Sequence, residues 1–216
     1  MNCLGTKFIA YPEIQVCAIN LIGNLAYCPG IDSLLVNKNI MIMISELLQA
    51  VRDQSVIIRI FFLLANLGQE LPAVILAIKQ LNIIPSIILR MEEIELEMNS
   101  EQLEDMMYFI NVIVGAEPRL EFKITAQLIP ILEVILQTWM NDNSAFQVEI
   151  MIDALKDIFT IVSQNPKEGT KFIYQSKTGL ILNVMTHCLQ NFKNFPPIVA
   201  KEIINFFALL FEESDS

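Results

Sequence analysis

The chain has 216 residues, 54% of them hydrophobic, with 24 acidic against 14 basic side chains and a formal net charge of −10. That field repels phosphate backbones, which argues against direct nucleic-acid binding, and it attracts basic partners and speeds their encounter. Charges interrupt the longest apolar runs, Arg59 in "SVIIRIFFLLANLG" and Lys79 in "LPAVILAIKQLNIIPSIIL", whereas a membrane-spanning helix needs roughly 20 mostly apolar residues.

The opening "MNCLGTKFIAYPEIQ" lacks the basic, apolar and small-residue blocks of a secretory signal. Cys3, Cys17, Cys28 and Cys188 form no CxxC pair, so reduced thiols in a cytoplasmic or nuclear protein are expected. A first helix is predicted from Pro12, "EIQVCAINLIGNLAY", apolar on more than one face. Apolar residues then recur three and four apart in "IMIMISELLQAVR", "IIPSIILRM", "LIPILEVILQTW" and "KEIINFFALLF". Only seven glycines occur, and no Asn-Gly or Asp-Gly hairpin turn. The chain reads as all-α. Helices apolar nearly all round suit positions sandwiched between neighbours.

A repeat underlies this order. Aligning "AINLIGNLAY", "RIFFLLANLG", "MYFINVIVG", "IDALKDIFTIV" and "EIINFFALLF" brings Asn24, Asn66, Asn111, Asp157 and Asn205 to one slot, at intervals of 42, 45, 46 and 48 residues. Asparagine fills only 16 of 216 positions, so its return to four of five slots is not chance. Pro85 and Pro130 each follow the preceding slot asparagine by 19 residues, and each is expected to open an apolar helix. A unit then reads as a short helix, a longer one, a variable turn, and a third helix carrying the amide.

That order and period resemble the armadillo repeat, with HEAT repeats the nearest competitor. The resemblance implies a right-handed α-solenoid of four to five repeats over residues 1–211, with units ending near 28, 68, 115, 163 and 211 and an acidic tail over 212–216. Within the class, residues 150–207 resemble the last two repeats of importin-α, through Asp153-Ala154-Leu155, Gly179-Leu180, Leu189-Gln190 and Phe206-Phe207.

In importin-α, third-helix asparagines hold the extended backbone of basic localisation signals, and tryptophans four residues earlier stack on lysine stems. An amide suits the task because it offers both a donor and an acceptor. The resemblance therefore implies a peptide-binding groove at Asn24, Asn66, Asn111, Asp157 and Asn205, flanked by Asn20, Phe62, Met107 and Asp153. The charge of Asp157 would favour lysine or arginine at its slot. The implied role is an adaptor for an extended basic peptide or protein segment in nuclear import.

The chain departs from that pattern in having no tryptophan at the flanking positions, where Lys201 stands in the last unit. Without an aromatic wall, about 0.5–2 kcal/mol per bound lysine is missing. The lone Trp139 falls on a second helix and is expected in the core. A different use for the asparagines is to hydrogen-bond the neighbouring repeat and hold the superhelix together. The alternative function is a structural scaffold subunit, consistent with a mean hydropathy of +0.50.

Weaker features remain. "MEEIELEMNSEQLED", residues 91–105, carries seven carboxylates and is expected as a solvated connection. His187 beside Cys188 is the only histidine, so catalytic dyads and histidine-rich metal sites have almost no material. No phosphate-binding glycine loop occurs. The expectation is no enzyme, no metal and no cofactor. Few residues precede the first amide helix, and one of its flanks should lack a covering repeat. Either further repeats or another chain would cover that end.

Overall fold

Among the described residues, proline stands first or second in six helices, where its missing N–H would have had no helical partner. The computed structural model describes residues 8–25, 28, 38–93, 100–117, 119–141, 148–175 and 179–214, and among them every element is a helix or turn. The all-α expectation therefore holds. The chain divides into two compact units, Met1–Leu120 and Glu121–Ser216.

The first unit contains α1 (Pro12–Leu25), α2 (Lys38–Ala50), α3 (Gln54–Glu70), α4 (Pro72–Gln80), α5 (Ile84–Glu93) and α6 (Ser100–Val114). Asp53 starts α3, its carboxylate accepting from the backbone N–H of Ser55 at 3.0 Å and of Val56 at 3.2 Å. α3 packs against α1 and α6 and also meets α2 and α4. Being enclosed, it can be apolar nearly all round: Val56, Ile60, Phe61, Leu63, Leu64 and Leu67 have no exposed surface. Each such side chain contributes roughly 1.5–3 kcal/mol through burial.

α3 and α6 run parallel. Arg59 meets Asp105, Phe61 meets Phe109 and Gly68 lies against Val112, so the contacts advance together along both helices. The Phe61 and Phe109 rings stack at 5.6 Å between centroids. α2 packs against α5. There the buried Arg90 donates from Nε to the Leu48 carbonyl at 2.6 Å and from Nη2 to the Gln49 carbonyl at 2.9 Å.

The second unit runs through α7 (Phe122–Thr125), a 3₁₀ turn, α8 (Ile129–Asn141), α9 (Val148–Gln164), α10 (Pro166–Gln175), α11 (Leu180–Gln190) and α12 (Pro197–Ser214). α9 is central, packing on α7, α8, α10 and α12. Gly169 lets α10 approach it closely, because a Cβ there would stand 2.8 Å from the Val162 Cα. Gly179, at φ +56°, supplies the left-handed turn into α11.

Pro85 and Pro130 each stand second in an apolar helix, as their common offset predicts. The five amide-slot helices end at residues 25, 70, 114, 164 and 214. The last value differs from the tail expected after 211: Glu212 and Glu213, good helix formers, continue α12. Of the acidic connection, residues 94–99 lie outside the described residues.

Among the described residues, no single helix is long and apolar enough to cross a membrane. The bent pair Pro72–Gln80 and Ile84–Met91 has the composition for it, but Val74, Ile75, Ile78, Ile84 and Ile87 are buried inside the fold.

Candidate peptide-binding face

The slot residues divide between the two units. α1, α3 and α6 are consecutive neighbours, so Asn20, Asn24, Phe62, Asn66, Met107 and Asn111 fall on three adjoining helices of the first unit. Asp153 and Asp157 stand on α9 and Asn205 on α12, in the second.

Their exposure is uneven. Asn24 and Asn205 are exposed, and Asn20, Phe62, Asn111 and Asp153 are half-buried. Asn66 is wholly buried, Met107 is buried, and so is Asp157. Asn66 fills the seam between α3 and α1: its Nδ2 lies 3.7 Å from where a Cβ on Gly23 would stand. The glycine beside the first slot asparagine is thus the space into which the second slot asparagine packs. Met107 faces the core, and the next residue, Tyr108, reaches the surface and donates its hydroxyl to the Gln69 side chain.

The accessible polar groups of this face are therefore Asn20 and Asn24 on α1, Gln69 on α3, and Tyr108 and Asn111 on α6. Leu21, 61% exposed, adds an apolar contact. Between Gln69 and the helix start, Arg59 crosses the seam. Its guanidinium carbon stands 5.8 Å over the Phe62 ring centroid, and its Nη1 lies 3.1 Å from Asp105 Oδ2. Phe62 and Asn66 were legible as slot residues. The roles of Arg59, Gln69 and Tyr108 were not, because each depends on a partner some 40 residues away.

Asp157 differs from the charged slot expected. Burial first, and the neighbouring Asp153 charge second, push its carboxyl up to about 8, against a lowering effect of Lys156. It is mostly protonated at pH 7, and an un-ionised carboxyl offers one donor and one acceptor, as an amide does.

The other residues of chemical interest are built into the core. Trp139 is buried in α8, with the His187 ring edge-on at 5.9 Å. Burial pushes the Cys188 thiol up to about 11, so it holds no thiolate at neutral pH for a nucleophilic role. No group of three metal-ligating side chains is assembled among the described residues. No protein-family model matches the chain, and no curated protein matches it in sequence.

Proposed function

We propose that the chain is a protein-binding α-solenoid of the armadillo type, similar to importin-α, which takes an extended basic segment across α1, α3 and α6. The observation that carries this reading is the juxtaposition of three amide-slot helices, α1 beside α3 and α3 parallel to α6. An extended peptide displays unpaired N–H and C=O groups, and amide side chains, which carry both a donor and an acceptor, stand at the surface of successive helices at Asn20, Asn24, Gln69 and Asn111, Gln69 already accepting from the Tyr108 hydroxyl. The net charge of −10, with Glu104 exposed beside the face, supports a basic ligand. An adaptor role in nuclear protein import, in cytoplasm and nucleus, follows from that likeness.

The buried Asn66 gives the test its contrast. Each amide–backbone hydrogen bond contributes about 0.5–1.5 kcal/mol, so Asn24→Ala with Asn111→Ala should weaken a fluorescent lysine-rich peptide about tenfold in anisotropy titrations. The melting temperature should hardly change. Asn66→Ala should instead cost stability, about 1–3 kcal/mol, by emptying the α1–α3 seam. Undiminished peptide affinity in the double variant would contradict the proposal.

A scaffold subunit is the second reading, favoured by one observation. On α12, Ile204 is 59% and Phe211 64% exposed, and with the half-buried Phe207 they leave an apolar stripe of the kind standing interfaces cover.

A further inference from the structure

We infer that the second unit holds a binding site for an uncharged cyclic amide, the group carried by pyrimidinone and purinone nucleosides. A cavity of about 340 Å³ lies at the C-terminal ends of α8 and α11, lined by Trp139, Val148, His187, Asn191, Asn194 and Phe195. Small-molecule sites occupy roughly 300–1,000 Å³. Among the described residues lining it there is no Asp, Glu, Lys or Arg, so a charged ligand would lose its water without compensation.

Two groups define what the cavity accepts. Trp139 is 3% exposed, and its indole N–H has no hydrogen-bond partner among the described residues. Native folds rarely leave such a donor orphaned, and an indole can only donate, so a ligand acceptor is what satisfies it. Asn191 donates from Nδ2 to the His187 carbonyl at 2.9 Å. That bond orients the amide and keeps Oδ1 as an acceptor for a ligand N–H. One donor and one acceptor together complement the C=O and N–H of an amide. A flat ring suits the site because His187 and Phe195 stand beside Trp139, at 5.9 and 6.1 Å between centroids. The indole N–H is closed off in the unbound protein, so a ligand reaches it by parting this ring cluster. A net charge of −10 disfavours a phosphate, which selects a nucleoside over a nucleotide. The site uses nothing from α1, α3 or α6, so it stands independently of the proposed groove.

Trp139 is the only tryptophan, so the isotope-labelled full chain gives a single indole N–H signal by NMR. Titration with uridine should move that signal downfield and saturate, and the His187 ring signals should move with it. Uridine methylated at its ring N–H keeps both carbonyls but loses the donor. It should bind about three- to tenfold more weakly, the equivalent of one hydrogen bond. Asn191→Ala should weaken uridine by a similar factor, and the methylated ligand makes the same test on the unaltered protein if that variant folds poorly. Uridine monophosphate should bind more weakly than uridine. An indole signal unmoved by uridine, or equal affinity for the methylated ligand, would overturn the inference. So would a response to methyl glucoside without one to uridine, which would make the cavity a sugar site.

Discussion

Replacing Arg90 with methionine is expected to cost the first unit about 3 kcal/mol and lower its melting transition by on the order of 10 °C. The residue is 2% exposed, yet its charge is used. Nε and Nη2 hold the Leu48 and Gln49 carbonyls in the last turn of α2, and Nη1 pairs with Glu93. These carbonyls have no partner inside their own helix, and they carry the negative end of its dipole. Methionine would fill the volume but leave Leu48 without that donor in a dry environment, where a charge-assisted hydrogen bond contributes about 1.5–3 kcal/mol. Arg52 also reaches the Gln49 carbonyl, at 3.0 Å, so that group keeps a donor. Arg90→Lys should recover only part of the loss, since an ammonium cannot span two carbonyls as a planar fork does. Calorimetry of the three proteins checks this. Equal stability of all three would show that the α2–α5 contact is held by apolar packing alone.

The second large effect is at Asp157, and it depends on pH. Its folded carboxyl titrates at about 8, mainly through burial, whereas an exposed aspartate in the unfolded chain titrates near 4. The stability it contributes is complete below the unfolded value and is lost as pH rises through the folded one. Asp157→Asn keeps the shape and cannot ionise. The variant should therefore match the unaltered protein near pH 4 and exceed it increasingly up to pH 8. Four pH units at about 1.4 kcal/mol each set a ceiling of about 5 kcal/mol. A gain of about 5 °C in melting temperature at pH 8 is the expected reading. A pH-independent difference would show that Asp157 is already ionised in the folded protein.

These two sites show what the sequence carried and what it did not. Helix type and order were legible because apolar spacing and helix-opening prolines are local signals. Pro85 and Pro130 stand in their helices as the periodicity requires. The slot row was legible as a row, but not the direction of each side chain. Asn66 turns into the α1 seam because Gly23 leaves room for it, and a glycine 43 residues upstream has no local meaning. Met107, expected beside the groove, is buried and the next residue, Tyr108, reaches the surface, since a single helical step moves a residue from core to surface. Arg90 closes the apolar run "IIPSIILRM" with no local sign of a buried role, because its two carbonyls lie 41 and 42 residues earlier. Asp157 read as a charge, and its burial, with the Asp153 charge beside it, favours the neutral form.

The central claim is that an extended basic segment crosses α1, α3 and α6. It is tested most directly by a lysine-rich peptide carrying a nitroxide, added to the isotope-labelled full chain. The account predicts paramagnetic broadening centred on Asn20, Leu21 and Asn24, on Phe62 and Gln69, and on Tyr108 and Asn111. The broadened position should move from helix to helix as the label moves along the peptide. Broadening confined to Ile204, Phe207 and Phe211 of α12, or independent of where the label sits, would contradict it.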